Sequence, residues 1–289
     1  MKKNYFLLLL ISCCTHLLAQ EETTNKPSLP NGYQAKIDEV YNTIGGWKGK
    51  EDIYYNPQAP NPLPVVFTIH GGGWNHGAKE SYNEYKGAIR LGYAAVNIEY
   101  RFASVATAPA AIEDVRAAIL YTVQHAKEYN INPNKIIITG ASAGGHLALM
   151  AGLLQNDHRF DGNFKNVNNF TITAIIDRFG PADLAIPGIE RNNTAATWLG
   201  SYAGNLELEK TVSPIYYVKK TSPPIFIVHG DADPTVPYKQ SVALQKKLDE
   251  MGVKNKFITI EGGGHGGFTK EKNTEVAMAI VAFLREVLN

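Results

Sequence analysis

The sequence predicts an α/β fold with a mostly parallel central sheet and helices on both faces. Three observations lead there. Short β-branched runs such as Val65-Val66-Phe67-Thr68-Ile69 and Lys135-Ile136-Ile137-Ile138-Thr139 recur along the chain. Segments with apolar residues at helical spacing stand between them. Strands that alternate with helices pair in parallel and are covered on both sides. The 289 residues, 44% of them hydrophobic, suffice for one large domain with a sizeable core.

In chain order, residues 1–19 have the pattern of an export signal. Lys2-Lys3 forms a basic start, an apolar stretch follows from Tyr5 to Leu10, and Leu17-Leu18-Ala19-Gln20 offers a cleavage site. The apolar stretch is too short for a membrane span and is broken by Ser12, Cys13, Cys14 and His16. The expected location is periplasmic or extracellular. Leu10-Ile11-Ser12-Cys13 also has the form of a lipidation box, which would make Cys13 a lipid anchor and the protein an outer-membrane lipoprotein. Both cysteines lie here, so cleavage near Ala19 leaves a mature chain with no disulfide, thiol chemistry or cysteine metal site.

Residues 20–35, punctuated by Pro27 and Pro30, read as a flexible leader, and 36–289 as one catalytic domain. Within it the pattern predicts strands at 65–69 and 93–98 with a helix at 82–91 between them. Ile112, Val115, Ile119, Val123 and Ala126 predict a helix over 112–129, ended by the turn signal Asn132-Pro133-Asn134. A strand at 135–139 and a helix at 144–154 follow, then strands at 170–176 and 224–228. A helix at 238–251, a strand at 255–260 and a helix at 274–287 close the domain. Residues 181–223 break the alternation and read as a small cap or an irregular connection. No internal repeat is present.

Charge excludes some partners. Twenty-eight Lys and Arg against 27 Asp and Glu give a net charge of +1, so no global field attracts nucleic acid.

The chemistry begins at Gly140-Ala141-Ser142-Ala143-Gly144, directly after the 135–139 strand. Gly-x-Ser-x-Gly between strand and helix is the pattern of a nucleophile elbow, in which a sharp turn exposes the serine oxygen. A serine hydroxyl is a weak nucleophile and needs a base and a group to orient that base. His265, in Glu261-Gly262-Gly263-Gly264-His265-Gly266-Gly267-Phe268, is the candidate base. Asp233, in His229-Gly230-Asp231-Ala232-Asp233-Pro234-Thr235-Val236-Pro237, is the candidate orienting acid. Asp231 stands two residues away and is expected to shape the turn. His229 reads as a buried structural histidine ending its strand. His76, His125 and His158 read as surface histidines.

His70-Gly71-Gly72-Gly73-Trp74 follows the 65–69 strand as a loop able to donate backbone N–H groups to an oxyanion. The expected donors are Gly72 or Gly73, together with Ala143. Trp74, Tyr100, His146, Trp198 and Phe268 are candidate walls of the substrate pocket. No cofactor is implied. The histidines are scattered, with no metal-ligand spacing in a suitable loop.

At these residues the chain resembles the α/β-hydrolase superfamily, and within it the hormone-sensitive-lipase-like esterases and the BD-FAE family. The resemblance spans roughly residues 36–288. It rests on His70 to Trp74, Tyr100-Arg101, Pro109 with Glu113-Asp114, and Ser142-Ala143-Gly144-Gly145-His146-Leu147-Ala148. Further matches are Asp177-Arg178-Phe179-Gly180-Pro181-Ala182-Asp183-Leu184, Ser213-Pro214 and His229 to Pro237. It implies Ser142, Asp233 and His265 as a triad, with Asp233 preferred to Asp231. The substrate it implies is a small ester, above all an acetylated (or other small-acyl) plant polysaccharide fragment such as xylan, with a feruloyl ester as the first alternative. A general small-acyl carboxylesterase without sugar specificity, a peptidase, and a non-catalytic binding protein are the alternatives. One departure is Gly266-Gly267-Phe268, which carries one more glycine than the frequent His-Gly-Phe form.

Overall fold

The computed structural model describes residues 29–81, 84–186 and 193–288. The expected signal segment, including Cys13, lies outside them. The chain divides into Met1–Pro30 and Asn31–Asn289, and every element below belongs to the second unit.

Eight strands form one sheet: β1 (Gln34–Ile44), β2 (Trp47–Tyr55), β3 (Leu63–Ile69), β4 (Ala94–Ile98), β5 (Ile131–Ala141), β6 (Ile172–Arg178), β7 (Ile225–Gly230) and β8 (Asn255–Ile260). Their order is β1-β2-β4-β3-β5-β6-β7-β8. β1, β2 and β4 pair antiparallel, and all pairs from β4 onward are parallel. Among the described residues seven α-helices accompany them: α1 (Glu84–Arg90), α2 (Ala110–Gln124), α3 (Ala143–Leu154), α4 (Asn193–Leu199), α5 (Leu206–Thr211), α6 (Lys239–Glu250) and α7 (Lys270–Leu288).

Strand alternation divides the apolar residues between two faces. Val65, Phe67, Ile69, Ile136 and Ile138 belong to a core shared with α2 and α3. Val66, Ile137 and Ile176 point the other way, toward α1 and α7. The central isoleucines are fully buried, each worth ~1.5–3 kcal/mol over an exposed side chain.

The hairpin β1–β2 was not expected from the sequence. Its β1 is an edge strand with exposed Ile37, Val40 and Ile44, so its apolar alternation is weak. The Gly45-Gly46 pair between the strands, with φ of +54° and +86°, is the turn signal that reveals it. β1 begins at Gln34, so the last two residues of the expected leader are strand. α2 stops at Gln124, where the chain turns through Asn130 (φ +51°) into a β5 that starts earlier than expected.

The parallel strands deliver five segments to one edge of the sheet: the loop from His70 after β3, Ser142 after β5, Phe179 after β6, Asp233 after β7 and His265 after β8. Carboxyl ends of parallel strands are where such folds build sites. No helix among the described residues is long and apolar enough to cross a membrane.

Candidate active site

Ser142 stands between β5 and α3 with φ +57° and ψ −124°, a conformation uncommon for a residue with a side chain. The surroundings hold it there. Its N–H donates to the Arg178 carbonyl at 2.9 Å, and its carbonyl accepts from His146 N–H at 3.0 Å. A Cβ on Gly140 would strike the Gly144 carbonyl, and one on Gly144 would strike the Ile69 and His70 carbonyls. The glycines therefore allow a close approach of elbow, helix and neighbouring loop.

The Ser142 hydroxyl donates to His265 Nε2 at 2.8 Å, and His265 Nδ1 donates to Asp233 Oδ2 at 2.7 Å. The structure thus brings together Ser142, His265 and Asp233 in hydrogen-bonded series. Asp233 Oδ1 accepts from the N–H groups of Thr235 and Val236 at 2.7 and 2.9 Å. Burial works to raise the Asp233 pKa, but the His265 bond and these two amides outweigh it and hold the carboxyl below its ordinary range. Asp231 instead accepts from Gly262 N–H at 2.7 Å, the turn-shaping task expected of it.

Beside Ser142 lies a cavity of about 410 Å³ bordered by Gly72, Gly73, Ala143 and His265. Gly72 has φ +108° and its carbonyl accepts from Asn75 and His76, which makes a tight turn of the loop. A Cβ on Gly73 would collide with Thr194. His70 stacks on Tyr100 with ring centroids 4.3 Å apart, and the Tyr100 hydroxyl donates to the His70 carbonyl at 3.0 Å.

Of the five candidate wall residues, only Trp74 borders this cavity. Tyr100 is buried beneath the glycine loop and braces it from behind. His146 is fully buried with Nε2 on the Val212 carbonyl at 2.8 Å, and burial lowers its pKa to about 4. Trp198 is also fully buried and stacks on Trp74 at 4.8 Å, so it backs the wall without forming it. Phe268 meets Phe179 edge-on and borders separate depressions beyond the His265 loop. These corrections have one physical origin. Proximity in sequence to a site loop does not say which side of that loop a side chain occupies.

The actual walls include Phe179, Leu184, Thr194, Ala195, Val236 and Pro237. Phe179 carries φ +45°, strained for a bulky residue, and its ring lies 4.7 Å from that of His265. His76, expected at the surface, is exposed and also borders the cavity. Leu184, Thr194 and Ala195 come from the 181–223 excursion, which contains α4 and α5. Gln240 sews its neck shut by accepting from Ala182 and Asp183 N–H at 2.9 and 2.8 Å. Ser213 Oγ accepts from Leu184 N–H at 2.8 Å.

Two other matched segments explain themselves by packing. Arg101 binds Asp114 through its backbone N–H and Nε, both at 2.8 Å to Oδ2. Asp177, at the end of β6, is fully buried, and only its Oδ1 has a partner among the described residues, the Gly180 N–H at 3.0 Å. Burial pushes its pKa up to about 8. A carboxyl raised in the folded state stabilises below its ordinary 3.8, and that contribution is lost as pH rises through about 8. Asp177→Asn is therefore expected to match the parent near pH 4 and exceed it near pH 9 by up to about 5 kcal/mol, read from melts across pH.

Among the described residues no three His, Cys, Asp or Glu side chains cluster to hold a metal ion.

A model of the BD-FAE family matches residues 51–248. Esterase LipQ of Mycobacterium tuberculosis is 32% identical over 79% of this chain and 57% of its own. The chain spans about half to three-fifths of the length of the curated relatives it matches. Among solved structures, a truncated carbohydrate esterase from gut microbiota superposes with a TM-score of 0.73 at 30% identity, over 88% of this chain and 95% of that one. A bifunctional GH43-CE protein of Bacteroides eggerthii gives 0.75 at 28% identity, over 88% of this chain and 38% of that one.

Proposed function

This chain belongs to the BD-FAE family of α/β-hydrolase esterases, and from that premise we propose that it is an exported serine ester hydrolase that removes acetyl or other small acyl groups from plant polysaccharide fragments such as xylan. The observation that carries this reading is the series Ser142–His265–Asp233 opening onto the cavity beside Gly72, Gly73 and Ala143.

Ser142 Oγ attacks the ester carbonyl as its proton passes to His265 Nε2. The carbonyl π pair moves to oxygen, and the oxyanion is held by backbone N–H groups of Gly72 or Gly73 and of Ala143. The tetrahedral adduct collapses, the bond between the acyl carbon and the sugar oxygen breaks, and His265 gives its proton to that departing oxygen, which leaves as a hydroxyl. Water then attacks the acyl-serine with His265 again as base, releasing the acid and Ser142. Asp233 stays ionised throughout and fixes the His265 tautomer.

The cavity volume and its walls favour a small acyl group. Trp74 is held rigidly against Trp198, and Leu184, Ala195, Val236 and Pro237 supply short apolar surfaces. His76, Thr194 and Thr235 add polar groups able to meet sugar hydroxyls. The similar protein from gut microbiota is a carbohydrate esterase, which supports the same direction. The residue 1–19 pattern supports export, where such polymers are met; lipidation at Cys13 would tether the enzyme outside the cell.

Wild type and Ser142→Ala are compared on 4-nitrophenyl acetate, acetylated xylooligosaccharides and methyl ferulate. The expected result is Ser142-dependent hydrolysis with the acetylated sugar preferred. Preference for methyl ferulate would make it a feruloyl esterase. Equal use of any small acetate ester would make it a general carboxylesterase.

A further inference from the structure

Asp233 has a second histidine. Its Oδ2, which accepts from His265 Nδ1, lies 3.1 Å from His229 Nε2. His229 is fully buried, and its Nε2 is also 3.0 Å from the Val236 carbonyl. Its Nδ1 lies 2.7 Å from the hydroxyl of Ser241, a buried residue of α6. Two acceptors at Nε2 require a proton on that nitrogen, because a carboxylate and a carbonyl donate nothing. Ser241 can then donate to the bare Nδ1. Two serine–histidine pairs thus converge on one carboxylate oxygen, Ser142–His265 at the cavity and Ser241–His229 in the core.

We propose that His229, fixed as the Nε2–H tautomer by Ser241 and Val236, is a positioning residue that holds Asp233 and moderates its pull on His265. The proposal rests on the serine-hydrolase reading above. A carboxylate oxygen shared between two N–H donors offers less negative charge to each. His229 therefore weakens the stabilisation Asp233 gives to protonated His265, and it keeps the carboxylate from turning away between turnovers. Burial lowers the His229 pKa, which keeps the ring neutral and the second donor free of competing charge. The groups facing this pair are Asp233 and His265 themselves, Phe179 beyond β6 and Tyr238 over the ring from the turn before α6. Tyr238 pairs with Thr259, and Asp231 is turned to Gly262.

The test is the pH profile of kcat/KM on 4-nitrophenyl acetate for wild type, His229→Leu and His229→Gln. His229→Leu removes the donor. The acid limb is expected to move up by about half a pH unit, and kcat to fall about tenfold, the equivalent of one hydrogen bond to a charged group. KM stays unchanged because His229 does not border the cavity. His229→Gln keeps an N–H donor at nearly the same reach, so it is expected to restore both the limb and most of kcat. Equal losses in the two variants with an unmoved limb would overturn the proposal, as would wild-type behaviour in both. Should His229→Leu not fold, nitrogen NMR of histidine-labelled wild type decides directly: a proton on His229 Nε2 is expected, and one on Nδ1 would refute it. A wild type inactive on every ester would instead sink the serine-hydrolase reading, which the tautomer measurement does not touch.

Discussion

Ser142→Ala is expected to lower kcat by roughly a million-fold, the size seen when a serine nucleophile is removed from an intact triad. The reason is chemical and not structural. The Ser142 side chain bonds His265 Nε2, and its unusual backbone is held by the Arg178 carbonyl and the Gly140 and Gly144 approaches. Alanine keeps every one of those backbone features. The melting temperature should therefore stay close to that of the parent while hydrolysis of 4-nitrophenyl acetate disappears. Residual rate above water would come from the glycine loop and binding alone. A second substitution, His265→Ala, added to Ser142→Ala should cost little more, because the two groups act as one unit.

Asp233→Asn carries the next largest effect, about ten-thousand-fold in kcat. The carboxylate accepts two backbone N–H groups on Oδ1 and two imidazole N–H groups on Oδ2. An amide has one oxygen and one NH₂, so one pair of donors must face another donor. Turning the oxygen to the histidines leaves the Thr235 and Val236 amides unsatisfied. Turning the NH₂ to them forces His265 to put its proton on Nε2, where it can no longer receive that of Ser142. The tautomer is wrong for catalysis in that arrangement. Either way the substitution strands buried polar groups, at ~1–3 kcal/mol. The signature is a large loss in kcat with a measurable fall in melting temperature, unlike Ser142→Ala.

Much of this was readable in the chain because local chemistry and topology coincide here. A β-branched run followed by Gly-Ala-Ser-Ala-Gly has few other uses, and β5, Ser142 and α3 lie where that pattern put them. The parallel strands and their helices were legible from periodicity because their buried faces are nearly all apolar. The β1–β2 hairpin was not, since an exposed edge strand needs no apolar alternation. The pocket walls were legible only in part. Trp74 borders the cavity because it abuts the glycine loop. Tyr100, Trp198, His146 and Phe268 sit behind or beyond the surfaces that line the cavity, a matter of three-dimensional side that spacing does not encode. The place of His229 at a strand end marks it only as structural, and its contact with Asp233 depends on how the loop after β7 folds back. The His-Gly-Asp-Ala-Asp order put the two residues four apart, the one signal that they could meet.

The most direct measurement is covalent labelling with an alkyl phosphonate that carries a good leaving group, followed by peptide mass mapping and activity assay on the same sample. One phosphonyl group per chain is expected, on Ser142, with ester hydrolysis lost in proportion to labelling, and no label on Ser142→Ala. Hydrolysis that survives full labelling of Ser142, or a label that tracks lost activity on another residue, would contradict it.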